Sequence, residues 1–132
     1  MIVFPSACLS ATNLTVLSLK KNRIREISAD IGKMSWLKVL LLGRNELSSL
    51  PLTLSLCTAL KKLDVSSNEI RRIPMWMYRL RKLESLDFSA NNLYNVSAVI
   101  GQMESLKALN LSANRITEIP LPLVLLPPFF PI

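Results

Sequence analysis

Two carboxylates, Asp64 and Asp87, lie 23 residues apart, and their type and spacing come closest to catalytic chemistry in this chain. On neighbouring strands such a pair could act as general acid and general base. The chain has no histidine, which removes the commonest general base and metal ligand. It also has no C-x-x-C pair, no Gly-rich phosphate loop and no G-x-S-x-G turn. We therefore predict that the protein is not an enzyme and uses no cofactor or metal, and we interpret the two aspartates as part of a recognition surface.

The spacing that relates the two aspartates governs the whole chain, because leucine or a close substitute returns every 23 residues. The leading leucines are Leu14, Leu37, Leu60, Leu83 and Leu106, and the turn asparagines are Asn22, Asn45, Asn68, Asn91 and Asn114. Each copy follows the pattern L-x-x-L-x-L-x-x-N-x-L, which is the signature of a leucine-rich repeat solenoid. The predicted fold class is therefore α/β: a horseshoe with a parallel concave sheet and an irregular or short-helical convex side.

Within each copy the L-x-L part alternates and predicts a short strand. In the first copy Leu17 and Leu19 should point inward, whereas Val16, Ser18 and Lys20 should point outward. Stacked coils would pair these strands into one parallel sheet whose outer face is free to bind a partner. The turn asparagine can both donate and accept, so we expect it to satisfy backbone groups of its own coil and of the next coil.

The second half of each copy also repeats. Pro51, Pro74 and Pro120 follow an aliphatic residue in three copies, and Ser28 and Ser97 take that place in the other two. Proline fixes φ and cannot donate to a strand ladder. We therefore predict that the return across the convex side starts at this position.

By length the chain is a single domain, residues 1–132. The full repeats are 14–36, 37–59, 60–82, 83–105 and 106–128, with a partial repeat at 1–13 and the start of another at 129–132. Neither end carries the polar cap that solenoids need. We expect a segment of a longer array, and the alternative is a complete small protein whose apolar ends bind a partner or each other. The apolar tail has too few residues and too many prolines for a membrane span of ~20 residues, so no transmembrane segment is predicted.

Charge and cysteine content narrow the partner and the compartment. Residues 14–82 hold fourteen Lys and Arg against five Asp and Glu, whereas residues 83–132 hold two against four. Cys8 and Cys57 occupy core positions two coils apart, at ~5 Å per coil, so they lie beyond the reach of a disulfide. Two buried thiols fit a reducing compartment, and we predict a cytoplasmic location.

The outward strand positions are the predicted partner-binding residues. They are Ser18, Lys20, Lys38, Leu41, Arg44, Lys62, Asp64, Asp87 and Asn110. This stripe is basic at first, acidic in the middle and small and polar at its end, which suits a folded protein partner of complementary charge. Leu41 is its apolar member, either a contact anchor or an ordinary exposed aliphatic residue.

A second basic group lies in the return of the third repeat. Its members are Arg71, Arg72, Arg79, Arg81 and Lys82, with Trp76 and Tyr78 among them. Arginine beside aromatic residues can bind nucleic acid. We instead interpret the group as a solvated convex face and do not expect a nucleic-acid partner. Trp36 and Trp76 are expected to lie over neighbouring coils.

The extended motif N-x-[LI]-x-x-[LI]-P-x-x-[LI]-g-x-[LM] resembles the intracellular leucine-rich repeat family, which includes Ras-group, Ras-suppressor and Scribble/Erbin scaffolds. The resemblance implies non-enzymatic scaffolding of small GTPases, phosphatases or junctional complexes through the concave face. Three alternatives stay open. The chain could belong to an extracellular receptor, or to a larger enzyme such as a kinase or ubiquitin ligase. It could also bind nucleic acid or acidic lipid through its basic half, with a steep dependence on salt.

Overall fold

Residues 13–119 are described by the computed structural model, and in this range each repeat contains a strand and a turn, with a short 3-10 return between successive strands. The strands are β1 (Val16–Ser18), β2 (Val39–Leu41), β3 (Lys62–Asp64), β4 (Ser85–Asp87) and β5 (Ala108–Asn110). The 3-10 helices that separate them are Ala29–Lys33, Leu52–Leu56, Met75–Arg79 and Ala98–Gln102. Below, coils 1 to 5 denote the repeats that begin at Leu14, Leu37, Leu60, Leu83 and Leu106.

The five strands form one parallel sheet in the order β1-β2-β3-β4-β5. Their register follows the sequence period without a slip, so Leu17 aligns with Leu40, Leu63, Leu86 and Leu109. All five of these leucines are buried. Equal repeat lengths therefore bring equivalent side chains into rows across the sheet, and the predicted solenoid is confirmed.

The returns begin at the proline or serine position, by two different means. Pro51 and Pro74 precede their 3-10 helices without a side-chain cap, since the ring already fixes φ. At the equivalent positions Ser28 Oγ accepts a hydrogen bond from the Asp30 amide at 3.2 Å, and Ser97 Oγ accepts one from the Val99 amide at 3.3 Å. A serine cap of this kind offsets an unpaired amide at a helix start. The prediction of a short helical return starting here is confirmed.

The core runs continuously through the coils between the sheet and the returns. Cys57 lies within it, and its thiol donates a hydrogen bond to the carbonyl of Ile31 at 3.3 Å. Burial raises the pKa of Cys57 to about 11, so the thiol stays protonated and unreactive at neutral pH. Cys8 and the two chain ends, residues 1–12 and 120–132, lie outside the described residues.

The two tryptophans differ from each other in burial. Trp76 is half-buried and packs against the core. Trp36 is 63% exposed. That both side chains lie over neighbouring coils stays a prediction. Across residues 13–119, no helix is long and apolar enough to cross a membrane.

Candidate functional site: the concave sheet

The outward positions of the strands bring most of the predicted binding residues into one row. Ser18, Leu41, Asp64, Asp87 and Asn110 are successive register partners across the sheet. We call these residues the outer row. The row therefore passes from a hydroxyl through an aliphatic side chain to two carboxylates and an amide.

The other predicted residues flank the outer row. Lys62 belongs to the neighbouring row, in register with Val39 of coil 2. Lys38 precedes β2 by one residue, whereas Lys20 and Arg44 follow the ends of β1 and β2. All four of these cationic side chains are exposed. The nine predicted residues therefore lie either at outward positions of the strands or near the ends of the strands.

The acidic and amide members of the outer row each form a hydrogen bond within their own turn. Asp64 Oδ1 accepts from the amide of Ser66 at 2.9 Å, and Asp87 Oδ1 accepts from the amide of Ser89 at 2.9 Å. Asn110 Oδ1 repeats the contact through the amide and hydroxyl of the serine two residues later. Such Asx turns close the end of a strand. This structural role was missed from the sequence, although the recurring D-x-S and N-x-S triplets signal it.

Asp64 also forms an ion pair that crosses a whole coil. Lys20 Nζ, in coil 1, lies 3.0 Å from Asp64 Oδ2 in coil 3. The intervening position in coil 2 is Gly43, where an added Cβ would lie 3.5 Å from both Asp64 carboxylate oxygens. The missing side chain therefore leaves the space in which the lysine reaches the carboxylate.

Burial and the ion pair distinguish Asp64 from Asp87. Asp64 is only 7% exposed, whereas Asp87 is half-buried and has no cationic partner among the ion pairs of residues 13–119. Burial alone would raise the pKa of Asp64, but the hydrogen bonds from Ser66 and the charge of Lys20 outweigh burial and hold that pKa below its ordinary value. Asp64 is therefore ionised at neutral pH, with its charge largely compensated inside the molecule.

Beneath the outer row, the turn asparagines form a second repeating system that we call the inner ladder. Asn45 shows the pattern: its Nδ2 donates to Leu42 O of its own coil at 2.9 Å and to Leu19 O of the preceding coil at 3.0 Å. Its Oδ1 accepts from the amide of Ile24, also in the preceding coil, at 3.1 Å. The expectation of bonds to the next coil was wrong in direction, because the parallel stacking presents the open backbone groups of the preceding turn to each asparagine.

The residue before each asparagine has a left-handed backbone. These residues are Lys21, Arg44, Ser67, Ala90 and Ala113, with φ between 52° and 58°. Positive φ is uncommon outside glycine. The turn needs it because this conformation directs the following asparagine side chain inward. Arg44, a predicted binding residue, is thus also a constrained backbone position.

The charged side chains of the concave face differ between coils 1 to 3 and coils 4 and 5. In coils 1 to 3 Lys38, Arg44 and Lys62 take part in no ion pair within the described residues, while Asp64 is neutralised by Lys20. In coils 4 and 5 the charges are fewer, and Lys107 Nζ lies 3.8 Å from Glu84 Oε1. Over residues 13–119 no group of acidic residues or cysteines is arranged to hold a metal ion. In coils 1 to 3 the chemical groups that this face presents are exposed cations and an exposed aliphatic side chain.

Parallel strands, asparagine turns and short returns define a class of repeat solenoid that typically mediates protein–protein interaction. The leucine rich repeat family model matches the chain at residues 12–70 and again at 58–116. The chain therefore belongs to the leucine-rich repeat family. A comparison with curated proteins gave no match.

Solved structures give the same fold. An internalin of Listeria monocytogenes is 33% identical, with a TM-score of 0.82 over 92% of this chain and 35% of its own. The leucine-rich repeat domain of APL1B is 29% identical, with a TM-score of 0.76 over 83% of this chain and 34% of its own. A leucine-rich repeat protein of Leptospira interrogans is 23% identical, with a TM-score of 0.78 over 89% of this chain and 40% of its own. The chain thus spans well under half the length of these proteins.

Proposed function

We propose that the protein is an interaction module that binds a partner protein on its concave sheet, with coils 1 to 3 contacting an acidic part of that partner. The observation that carries the proposal is the group of exposed cations at Lys38, Arg44 and Lys62, which have no ion-pair partner in residues 13–119. Complementary charge steers association and selects among partners.

An apolar contact accompanies these cations. Val16 is 54% exposed and is in register with Val39, and Leu41 lies in the neighbouring row. Val39 and Leu41 are half-buried. An aliphatic strip bordered by unpaired cations suits a partner surface that presents an aliphatic side chain among carboxylates.

The intracellular scaffold type of leucine-rich repeat is part of the proposal, together with a cytoplasmic location. The protonated, buried thiol of Cys57 fits a reducing compartment. The motif resemblance supports small GTPases, phosphatases or junctional complexes as partner classes.

The test is affinity capture from cytosolic extract, with partners identified by mass spectrometry. The concave variant carries Lys38→Glu and Lys62→Glu, because both side chains are exposed and neither enters the inner ladder or an Asx turn. The matched control carries Arg23→Glu and Arg115→Glu, which change the net charge equally at exposed positions outside the sheet. Asp87 is left unchanged because its carboxylate closes its own turn.

We expect a set of proteins captured by the parent and by the control but not by the concave variant. Each captured protein is then purified and its affinity for the three forms is measured directly. Loss of about tenfold or more in the concave variant alone would support the proposal. Equal affinity for the parent and the concave variant would contradict it.

A further inference from the structure

We propose that the return side of coils 2 and 3 is a second interaction surface, and that it binds an acidic segment of a partner protein that also carries aliphatic side chains. This surface lies across the core from the concave sheet and does not depend on the function proposed above. We call it the return-face patch, and its residues are Leu52, Leu56, Met75, Tyr78, Arg79 and Arg81.

The apolar part of the patch is large for an exposed surface. Leu52, Leu56, Met75 and Tyr78 are 60%, 57%, 67% and 41% exposed, respectively. They belong to 3-10 helices of adjacent coils that contact each other, and Leu52 and Met75 occupy equivalent positions in the two helices. Contiguous exposed apolar side chains with a polar rim mark interaction sites on soluble domains.

The number and sign of charged residues also distinguish the returns of coils 2 and 3 from the other returns. The return of coil 2, residues 47–60, has no charged side chain, and the return of coil 3, residues 70–83, has five cations and no acid. In contrast, the return of coil 1, residues 24–37, has two cations and two acids, and that of coil 4, residues 93–106, has a single acid. The five cations of coil 3 enter none of the ion pairs among residues 13–119. Positive charge is thus concentrated in coil 3, next to the uncharged return of coil 2, and the four exposed apolar side chains belong to these two returns.

The kind of cation indicates the kind of partner. Four of the five are arginines, whose planar guanidinium matches a carboxylate with two parallel hydrogen bonds. The Arg79 guanidinium lies 5.8 Å from the centroid of the Tyr78 ring, which limits its freedom before binding. Arginine, tyrosine and methionine are enriched in protein interfaces. An anionic membrane attracts lysine as well as arginine, so this composition favours a protein segment with carboxylates.

The dimensions of the patch favour a segment over a folded domain. Two adjacent coils span ~10 Å at the usual strand spacing, about the width of one helix or extended chain. At one edge, a hollow of about 270 Å³ lies between Tyr78, Arg81, Gln102 and Glu104. Glu104 also lines this hollow, so an incoming carboxylate should contact Arg79 and Arg81 and avoid Glu104.

The experiment is selection from a random peptide library displayed on phage, with the parent protein immobilised. Enriched peptides are synthesised with a fluorophore, and their affinity is measured by anisotropy. The charge variant carries Arg79→Glu and Arg81→Glu, and the apolar variant carries Leu52→Gln and Met75→Gln. The variant with Arg23→Glu and Arg115→Glu is the matched control, because it makes the same charge change at exposed positions outside both surfaces. Circular dichroism and thermal unfolding check that every variant folds.

The expected result is enrichment of peptides that combine Asp or Glu with Leu, Ile, Val or Met. Their affinity should fall about tenfold or more in both patch variants and stay unchanged in the matched control. No enrichment, enrichment of sequences without acids, or a set of enriched peptides that all keep their affinity for both patch variants would overturn the proposal. If no such peptides are found, two further results would also overturn the proposal. One is binding to phosphatidylserine-containing vesicles that the charge variant loses. The other is self-association that the apolar variant loses.

Discussion

The outer row and the inner ladder are both built from polar side chains that return with the repeat, yet they differ in what they hold together. From Asn45 onward, each inner asparagine joins its own coil to the preceding one, as Asn45 does with Leu19 and Ile24. The outer Asx residues each accept a bond from two residues ahead, as Asp87 does from Ser89, and Asp64 adds an ion pair with Lys20. The difference shows that regular spacing alone does not reveal which polar residues join the coils, whereas the direction of the hydrogen bonds does.

The largest effect should come from breaking the inner ladder in the middle of the stack. Asn68 is 7% exposed; its Nδ2 donates to Leu42 O and Val65 O, and its Oδ1 accepts from the Leu47 amide at 2.9 Å. Asn68→Ala leaves these buried backbone groups without partners, and we expect the free energy of unfolding to fall by ~3 kcal/mol or more. Urea denaturation followed by circular dichroism measures this change.

The control for that prediction is the same substitution at the start of the described coils. Asn22 is exposed, and among residues 13–119 its side chain donates to Leu19 O and Lys20 O of its own turn. Asn22→Ala should lower the free energy of unfolding by less than ~1 kcal/mol. Similar losses at Asn22 and Asn68 would show that the bonds between coils are not what distinguishes the ladder.

A smaller effect is expected at Asp64, the outer-row residue that does reach across coils. Asp64→Ala removes both the Asx turn and the partner of Lys20, and we expect a loss of ~2 kcal/mol at neutral pH. Asp64→Asn keeps an acceptor for the Ser66 amide but removes the charge. Because Lys20 is partly exposed, that variant should lose only ~1 kcal/mol.

The pH dependence separates the ion pair from the turn. The pKa of Asp64 is lowered by folding, so its ionised form stabilises the protein above the ordinary carboxyl range. The difference in unfolding free energy between the parent and Asp64→Asn should therefore be full near pH 7. It should shrink once the pH falls below ~4 and through the lowered pKa. A difference that stayed constant from neutral to acidic pH would mean that the charge contributes nothing.

Much of the fold could be predicted from the sequence, because repeated local patterns determine the strands, the turns and the starts of the returns. The spacing of Leu17 and Leu40 fixed the strand register, and Pro51 marked the start of a return. The ion pair between Lys20 and Asp64 could not be predicted, since it depends on the path of a side chain across Gly43. The exposed apolar surface of the returns was also missed. The 23-residue period alone does not show which positions of a short 3-10 helix face solvent.

Asp87 sharpens the comparison further, because it has the Asx turn without the ion pair. Asp87→Ala should lower the free energy of unfolding by ~1 kcal/mol, the usual contribution of one such hydrogen bond. Asp87→Asn should be nearly neutral, since Asn110 already closes the equivalent turn of coil 5 with an amide. Thermal unfolding of both variants checks this, and a large loss in Asp87→Asn would point to a charge contact beyond the turn.

The smallest effect is expected where the backbone itself directs the asparagine inward. Ala90, with φ 52°, precedes Asn91, and a left-handed conformation disfavours any residue with a Cβ. Ala90→Gly relieves that strain but also gives the unfolded chain more freedom, so the free energy of unfolding should rise by at most ~1 kcal/mol. Ala108→Gly makes the same change within β5, where φ is not positive, and should lower it by a similar amount. Urea denaturation measures the change in the free energy of unfolding of both variants. Changes of opposite sign would show that the strain belongs to the turn that positions the inner ladder. A loss of stability in both variants would mean that the left-handed residues carry no strain that glycine relieves.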